Sequence, residues 1–378
     1  MIAAVAVAEQ GGEEEDLVEA EVEFVEEVEP VRPASWSLQI ARVDRSIYEL
    51  HRKWRDQVLQ LNADFQREFV WDHLRQTRLV ESVLARIPLP AFYLSEENEE
   101  ETIVIDGQQR FFTIFTFLEN KLQLEGLHLF PELNGKFFSD LEGKLQRRFE
   151  TTPLTCFVLQ PGTDSAVKFL LFERLNLGGV ALNAQEIRNG LFRGPGLDLI
   201  KRLAVNSAPG SFLDVAGPSR QFRRMKADEL VLRALAFLDH GLGHYAGDLR
   251  RFLNEELEEL NHLPEKRRED LALRLGVALV KTKAVFGDHA FRRYNPVDGT
   301  WTSQINGPLL EIIVCGFDTY FAPNTKAISQ HTADEIQQRF RRICGDPVFR
   351  DAITSTTQTT SKVRTRFDLW MKELADVA

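Results

Sequence analysis

Five consecutive residues in the first third of the chain, Asp106 to Arg110 with the sequence DGQQR, combine side chains used in phosphate and metal chemistry. Asp106 offers a carboxylate to a magnesium ion or a water molecule, and Arg110 offers fixed donors to phosphate oxygens. Gln108 and Gln109 could supply uncharged contacts, while Gly107 lets the backbone come close to a ligand. An alternative stays open, because Asp-Gly is an ordinary turn and Asp is an ordinary helix N-cap.

A strand and a helix must position this turn. Thr102 to Ile105 is a short β-branched run, which predicts a buried strand. The residues that repeat at helical spacing after the turn are Phe111, Ile114, Phe115 and Leu118. A helix that starts at the turn offers unpaired N–H groups and positive dipole character to an anion. The arrangement therefore suits a phosphate, with Mg²⁺ bound by Asp106.

A second polar pair, Gln66 and Arg67, lies in a predicted loop. This loop separates a predicted strand, Val58 to Leu61, from a helix that Asp72 caps. In one interpretation the pair adds a second phosphate or base contact opposite the first turn. In the other, the arginine lies on the surface and stacks on Trp71.

A third polar group lies in the segment 172–192. Gly178 and Gly179 predict a tight turn, and Asn183 predicts the N-cap of the next helix. The other polar candidates in this segment are Arg174, Asn176, Glu186, Arg188 and Asn189. These residues could close a nucleotide pocket from the far side, or they could form only a capped helix with a common Glu-Arg pair.

The composition is that of an ordinary soluble protein, with 378 residues, 43% hydrophobic and 27% charged. Its apolar runs are shorter than the roughly 20 residues of a transmembrane helix. The start MIAAVAVAEQ lacks the basic region of a signal peptide, so we expect a cytoplasmic protein without membrane contacts. The three cysteines are widely separated and lack metal-ligand spacing, which predicts plain reduced thiols.

The net charge of −11 comes from one segment. Residues 1–30 contain eleven acidic residues and no lysine or arginine, whereas the rest has 46 acidic and 46 basic residues. Such a run is typical of a disordered solubilising tail. Alternatively, it could mimic nucleic acid or occupy a basic groove when the ligand is absent. The neutral remainder gives no overall signal for DNA binding and does not exclude a local basic face.

The two halves of the chain differ in their patterns. Further strands are predicted over Ala91 to Leu94 and Leu154 to Leu159, and a helix over Ser165 to Leu175. From about Leu197 onward, amphipathic stretches predict helices over Asp228 to Leu238, Leu249 to Leu260, Glu265 to Val285, Pro308 to Phe321, Ala333 to Ile343 and Val363 to Leu374. We therefore predict an α+β protein with a disordered tail over 1–34, a small mixed α/β domain over 35–195 and a helical domain over 196–378.

Histidines predict no metal site or nuclease centre. His240 and His244 are four residues apart, but Gly241 and Gly243 weaken a helix between them and no third ligand follows in the sequence. The stretch DHAFRRYN over 288–295 has a His and an Asn but lacks the other residues of a nuclease finger.

Four motifs together resemble the N-terminal domain family of GmrSD-type restriction enzymes, within the ParB/sulfiredoxin-like superfamily. They are FQREFVWD (65–72), ESVLARIPLPAFYL (81–94), VIDGQQRFFTI (104–114) and FERLNLGGVALNAQEIRNGLF (172–192). They occur in the family's order and cover roughly residues 45–195. The agreement of four spaced motifs is far more specific than any one of them.

The resemblance implies a compact α/β domain that binds a nucleoside triphosphate, often with hydrolysis, in defence against foreign DNA. In this family the segment Asp106 to Arg110 is the nucleotide motif, Gln66-Arg67 lies beside it, and Arg174 to Asn189 completes the site. Glutamines occupy the loop where sulfiredoxin has its catalytic cysteine, so reductase chemistry is excluded. Two-part members carry a His-Asn-His nuclease domain, and no such pattern follows residue 195.

Three hypotheses follow. The first is a triphosphatase that uses Asp106 for the metal, Gln109 for the attacking water, and Arg67 and Arg110 for phosphate charge. The second is a module that does not hydrolyse, in which bound nucleotide or DNA switches the helical half between states that bind or release a separate nuclease or other effector. The third, a nuclease, ranks last. The preferred nucleotide and any self-association into a homo-oligomer stay open.

Overall fold

A computed structural model describes residues 18–19, 39–61, 71–98, 100–175, 183–217, 222, 225–321 and 327–377. The chain divides into two compact units, one of residues 31–191 and one of residues 192–378 together with 1–30. Each unit has its own core, so each is considered by itself.

The first unit contains a five-stranded mixed sheet. Its strands are β1 (Ile40–Ser46), β2 (Leu59–Gln60), β3 (Phe92–Asn98), β4 (Glu101–Asp106) and β5 (Pro153–Leu159). They lie in the order β1-β5-β3-β4-β2. The pairs β1–β5 and β3–β4 are antiparallel, whereas β5–β3 and β4–β2 are parallel. Strand β3 is central, and it pairs with β4 up to Asp106, whereas the short edge strand β2 pairs only with Thr102 and Ile103 near the start of β4.

Helices pack on this sheet and bury its aromatic core. They are α1 (Ile47–Arg55), α2 (His73–Leu84), α3 (Gln108–Leu118), α4 (Gly143–Glu150), α5 (Ser165–Leu175) and α6 (Ala184–Leu191). Helix α3 supplies Phe111, Ile114 and Phe115, which are fully buried against Phe92 and Val104 of the sheet. Helices α5 and α6 both contact β4. The strand that ends in Asp106 is therefore covered by the two later helices.

The second unit is mainly helical. Its helices are α7 (Pro195–Ala204), α8 (Phe212–Ala216), α9 (Lys226–His240), α10 (Leu249–His262), α11 (Glu265–Phe286), α12 (Gly307–Tyr320), α13 (Gln330–Ile343), α14 (Pro347–Thr354) and α15 (Thr360–Ala375). Helix α12 is buried from Gly307 to Phe317 and contacts α9, α11 and α15. Because every face of α12 is covered, its one carboxylate inside that span, Glu311, requires charged partners.

A hairpin and a piece of the acidic segment complete this unit. Strands β6 (Arg292–Asn295) and β7 (Thr300–Ile305) are antiparallel. Val18 forms a parallel bridge to Ile305, and the carboxylate of Glu19 accepts hydrogen bonds from Arg293 at 2.7 Å and Asn306 at 2.9 Å. These two described residues of the acidic segment therefore lie against the edge of β7.

The α+β class, with a mixed sheet followed by a helical region, is confirmed. The predicted hairpin edge before Thr102 is present as β3–β4, and β3 extends through the acidic residues to Asn98. Strand β1 and the β6–β7 hairpin were not predicted. Within the described residues, no helix combines the length and apolarity needed to cross a bilayer.

Candidate functional site

The β4–α3 turn is shaped by Gly107. This residue is the N-cap of α3 and has a φ of 100°, a region that L side chains rarely adopt. A Cβ atom there would lie 2.4 Å from Cδ1 of Phe92. The glycine is therefore required by backbone conformation and by packing on β3. Within the described ranges no side chain caps α3, so the backbone N–H groups of its first turn can bind a ligand.

Arg110 is bound inside the protein rather than extended toward solvent. Its guanidinium donates to Oδ2 of Asp106 at 2.7 Å, to the carbonyl oxygen of Ala91 at 3.2 Å and to that of Pro90. It also lies over the ring of Phe92, 4.4 Å from the ring centroid. Burial lowers the pKa of Arg110, and the neighbouring carboxylate of Asp106 opposes that shift. Arg110 therefore fixes Asp106 against the start of β3.

Among the described residues, Asp106 uses only one of its two carboxylate oxygens. Oδ2 accepts from Arg110, whereas Oδ1 accepts no hydrogen bond within the part of the chain that the structure describes. The side chain is 36% exposed, so a ligand can reach it. A carboxylate held through one oxygen with the other exposed is suited to binding a hydrated cation.

The two glutamines have different surroundings. Gln108 is buried, and its Nε2 donates to the carbonyl oxygen of Val104 at 3.1 Å. Oε1 of Gln109 is buried without a hydrogen-bond partner among the described residues. Because a buried acceptor without a donor is costly, Gln109 is the residue of this turn that most requires a further partner.

The third polar group forms a buried, hydrogen-bonded helix start. Asn183 and Glu186 form a capping box, in which the Glu186 amide donates to Asn183 Oδ1 at 2.9 Å and the Asn183 amide donates to Glu186 Oε2 at 2.7 Å. Arg188 donates to Gln185 at 3.2 Å, and Gln185 donates to Asn189 at 2.9 Å. These contacts agree with the structural alternative for Glu186, Arg188 and Asn189. The contact of α6 with β4 nevertheless brings this helix to the strand that ends in Asp106.

The remaining predicted site residues are less informative. Arg174 is exposed near the end of α5. Outside the described residues lie Gln66, Arg67, Asn176, Gly178 and Gly179.

Sequence patterns did not single out Tyr93, which is paired with Asp106 across the β3–β4 ladder. Its ring stacks on Phe157 of β5 with 5.3 Å between centroids. The sequence predicted both strands but not that they are neighbours, so it carried no signal for this pair. The pair places a half-buried aromatic surface near the turn.

Asp106 belongs to no group of three or more metal-ligating side chains within the described ranges. This arrangement still fits Mg²⁺, which is commonly bound through one or two carboxylates, waters and the phosphates of a nucleotide. Among the described residues, one group of three such side chains does occur, in the second unit. It consists of Asp239, His240 and Glu256.

Burial raises the pKa of the Cys156 thiol on β5 to about 11, so this cysteine is not a thiolate nucleophile at neutral pH. All three cysteines are buried and none forms a disulfide.

Comparison with protein families supports the resemblance inferred from the motifs. Residues 48–193 match the family described as GmrSD restriction endonuclease, N-terminal domain. Searches of curated proteins and of solved structures returned no match. The match includes the whole Asp106–Arg110 turn and the third polar group, and it indicates a component of a restriction or defence system.

Proposed function

We propose, from the premise that residues 48–193 form a GmrSD-type N-terminal domain, that this chain binds and hydrolyses a nucleoside triphosphate at the Asp106–Arg110 turn. In this proposal the chain is the regulatory or sensor subunit of a DNA-restriction or anti-phage system. The helical unit then transmits the nucleotide state to a separate nuclease or other effector.

One observation carries the proposal. At the uncapped start of α3, the carboxylate of Asp106 is fixed by Arg110 through one oxygen, while the other accepts no hydrogen bond among the described residues. Helix N-termini favour phosphate groups, and a fixed carboxylate favours the accompanying Mg²⁺. A single turn can therefore bind both parts of a magnesium nucleotide.

Each residue of the turn has a distinct role in this proposal. Asp106 would hold Mg²⁺ through its carboxylate, and Gln109, whose amide oxygen has no hydrogen-bond partner among the described residues, would orient the attacking water. Arg110 is a positioning residue, because three of its N–H donors bind Asp106 and two carbonyl oxygens and its side chain is only 10% exposed. The phosphate charge is assigned to the helix N-terminus and to Arg67, which lies outside the described residues.

The direct test is phosphate release by the purified full-length chain with each of the four triphosphates and Mg²⁺, with and without DNA. Asp106→Asn keeps the hydrogen bond from Arg110 and removes the charge, so we expect release to fall at least about 100-fold. Asp56→Asn is the matched control. Asp56 is exposed just before β2, whose parallel pairing places it near the start of β4 rather than its end.

A second candidate is a switch that binds nucleotide without hydrolysis. It is favoured by the burial of Arg110, since this cation is already neutralised and is not directed at a phosphate. Binding without phosphate release in the wild-type chain would select this candidate. Absence of both binding and release would overturn the nucleotide proposal in either form. Nuclease activity ranks below both, and metal-dependent nicking of DNA by the purified chain would be needed to revive it.

A further inference from the structure

A group of histidine and carboxylate side chains lies where α9 ends and α10 passes beside it. Asp239 and His240 are the last residues of α9 before Gly241, and Glu256 and Glu259 lie one helical turn apart on α10. Nε2 of His240 is 2.9 Å from Oε2 of Glu256 and 3.3 Å from Oε2 of Glu259. Two helices thus bring one imidazole and several carboxylates to one point.

Glu256 is the unusual member of this group. It is only 1% exposed, yet neither of its carboxylate oxygens accepts a hydrogen bond in the described part of the protein. Oε2 lies close to Nε2 of His240, but the contact does not satisfy the geometry of an N–H···O hydrogen bond. A buried carboxylate without donors is strongly disfavoured unless a proton or a bound cation neutralises it.

The surrounding atoms have the spacing of a metal site. Three possible ligand atoms lie within 4.8 Å of one another, one each from Asp239, His240 and Glu256. Asp239 also lies 3.3 Å from Arg267, through Oδ1. The ring of His244 is 4.9 Å from that of His240, centroid to centroid, and is exposed. A side-chain rotation could therefore add a fourth ligand from the loop between the helices.

We propose that His240, Glu256 and Asp239 bind a divalent transition-metal ion of the Zn²⁺ type, with Glu259 or His244 available as a further ligand. Imidazole nitrogen together with carboxylate oxygen is a donor set that Zn²⁺ accepts, with bonds of about 2.0–2.2 Å. Two donors that share such an ion lie about 3 Å or slightly more apart, as Nε2 of His240 and the oxygens of Glu256 and Glu259 do.

The site explains features that a simple ion pair does not. A protonated His240 could satisfy at most one oxygen of Glu256, and the other would stay buried without a donor. A bound cation neutralises the whole carboxylate and connects the end of α9 to the middle of α10. Because the ligands come from two helices, metal binding should stabilise the folded form of the second unit.

The test uses the tag-free full-length chain, stripped with EDTA and returned to metal-free buffer. Titration with Co²⁺ should produce a saturable visible absorption with one ion per chain, and Zn²⁺ should displace it. Glu256→Gln and His240→Ala should each weaken Co²⁺ binding at least about 100-fold, since even residues that only support metal ligands commonly contribute 10- to 100-fold. Zn²⁺ should raise the melting temperature of the wild-type chain and leave that of Glu256→Gln unchanged.

Two substitutions serve as matched controls. Glu255→Gln removes an exposed carboxylate that pairs with Arg251 on the same helix, and His262→Ala removes an exposed histidine at the end of that helix. Both should bind Co²⁺ like the wild type. If Glu256→Gln fails to fold by circular dichroism, Asp239→Asn repeats the test from α9. Lack of saturable Co²⁺ binding by the wild-type chain, or equal binding by ligand and control variants, would overturn the proposal.

Discussion

Two arginine–carboxylate groups, one in each unit, differ in how completely their oxygens are used. In the second unit, Glu311 is fully buried between Arg233 and Arg366, and both of its oxygens accept from a guanidinium. In the first unit, Asp106 is 36% exposed and, among the described residues, accepts through one oxygen only, from Arg110. Arg366 also donates to the carbonyl oxygens of Ala352 and Thr357, so the buried group connects α12, α14 and the loop before α15.

The difference separates a group built for stability from one able to bind a ligand. A buried carboxylate with every oxygen paired is tied to the fold, since losing a partner leaves a charge without solvent. A carboxylate that is fixed in place but only half paired can accept a cation without disrupting the fold around it. Whether a carboxylate can bind a ligand is therefore judged by how many of its oxygens already accept hydrogen bonds. The mere presence of an Asp-Arg or Glu-Arg pair does not decide it.

The largest expected loss of stability is at Glu311, whose two oxygens both accept from arginines. Glu311→Gln leaves Arg233 and Arg366 buried without a counter-charge, so we expect a loss of about 3 to 5 kcal/mol in the free energy of unfolding. Urea unfolding of the full chain measures this loss. Glu335→Gln removes one partner of a partly exposed i,i+4 pair with Arg339 and should cost far less than Glu311→Gln. Equal losses of stability in the two variants would show that the buried Glu311 group is no more important for stability than a partly exposed ion pair.

The next largest loss of stability is expected at Gly107, which shapes the turn beside Asp106. Gly107→Ala combines an unfavourable positive φ with a clash against Phe92, so we expect about 3 kcal/mol of destabilisation. Gly135→Ala is the control, because Gly135 has a φ of 83° and a Cβ atom added there would have nothing within 4 Å. It should cost about 1 to 2 kcal/mol. A similar loss at both positions would show that the Phe92 contact is unimportant.

A smaller effect on stability is expected at the carboxylate itself. Asp106→Asn keeps an oxygen for Arg110 and affects a partly exposed pair, so the free energy of unfolding should change by less than about 1 kcal/mol. Thermal unfolding should therefore resemble that of the wild type while phosphate release is lost. A loss of several kcal/mol would show that Asp106, like Glu311, mainly stabilises the fold, and would contradict a ligand-binding role.

The smallest effect is expected at the acidic segment. Glu19 pairs with Arg293 at 2.7 Å, and the arginine side chain is about one-third exposed. A double-mutant cycle with Glu19→Gln and Arg293→Gln should give a coupling of about 0.5 kcal/mol, decreasing with added salt. A coupling near zero at low salt would mean that this acidic residue does not bind β7 in solution.

Local patterns predicted the elements around the candidate site well. The Asp-Gly turn, the Asn183 N-cap and the helices with apolar periodicity were readable because capping and periodicity depend on neighbouring residues. Strand β1 was missed because its sequence IARVDRS carries three charges, and its alternation is recognisable only once β5 pairs with it. The same limit applies to β6, a four-residue strand.

The charged groups that distinguish the two units could not be predicted from spacing. Glu311 is 78 residues from Arg233 in the sequence, and Glu256 and His240 are on different helices, α10 and α9. Their pairing depends on how helices pack, which no local pattern encodes. For the same reason the sequence showed no third ligand near His240 and His244.

The most direct measurement of the central claim is the Mg²⁺ dependence of nucleotide binding. Calorimetric titration of the wild-type chain with triphosphate should show tighter binding in Mg²⁺ than in EDTA, because the proposal assigns the ion to the carboxylate of Asp106. In Asp106→Asn, affinity in Mg²⁺ should fall to the level seen in EDTA, with little change in EDTA itself. If Mg²⁺ strengthens binding equally in both proteins, Asp106 is not the metal ligand and the claim fails.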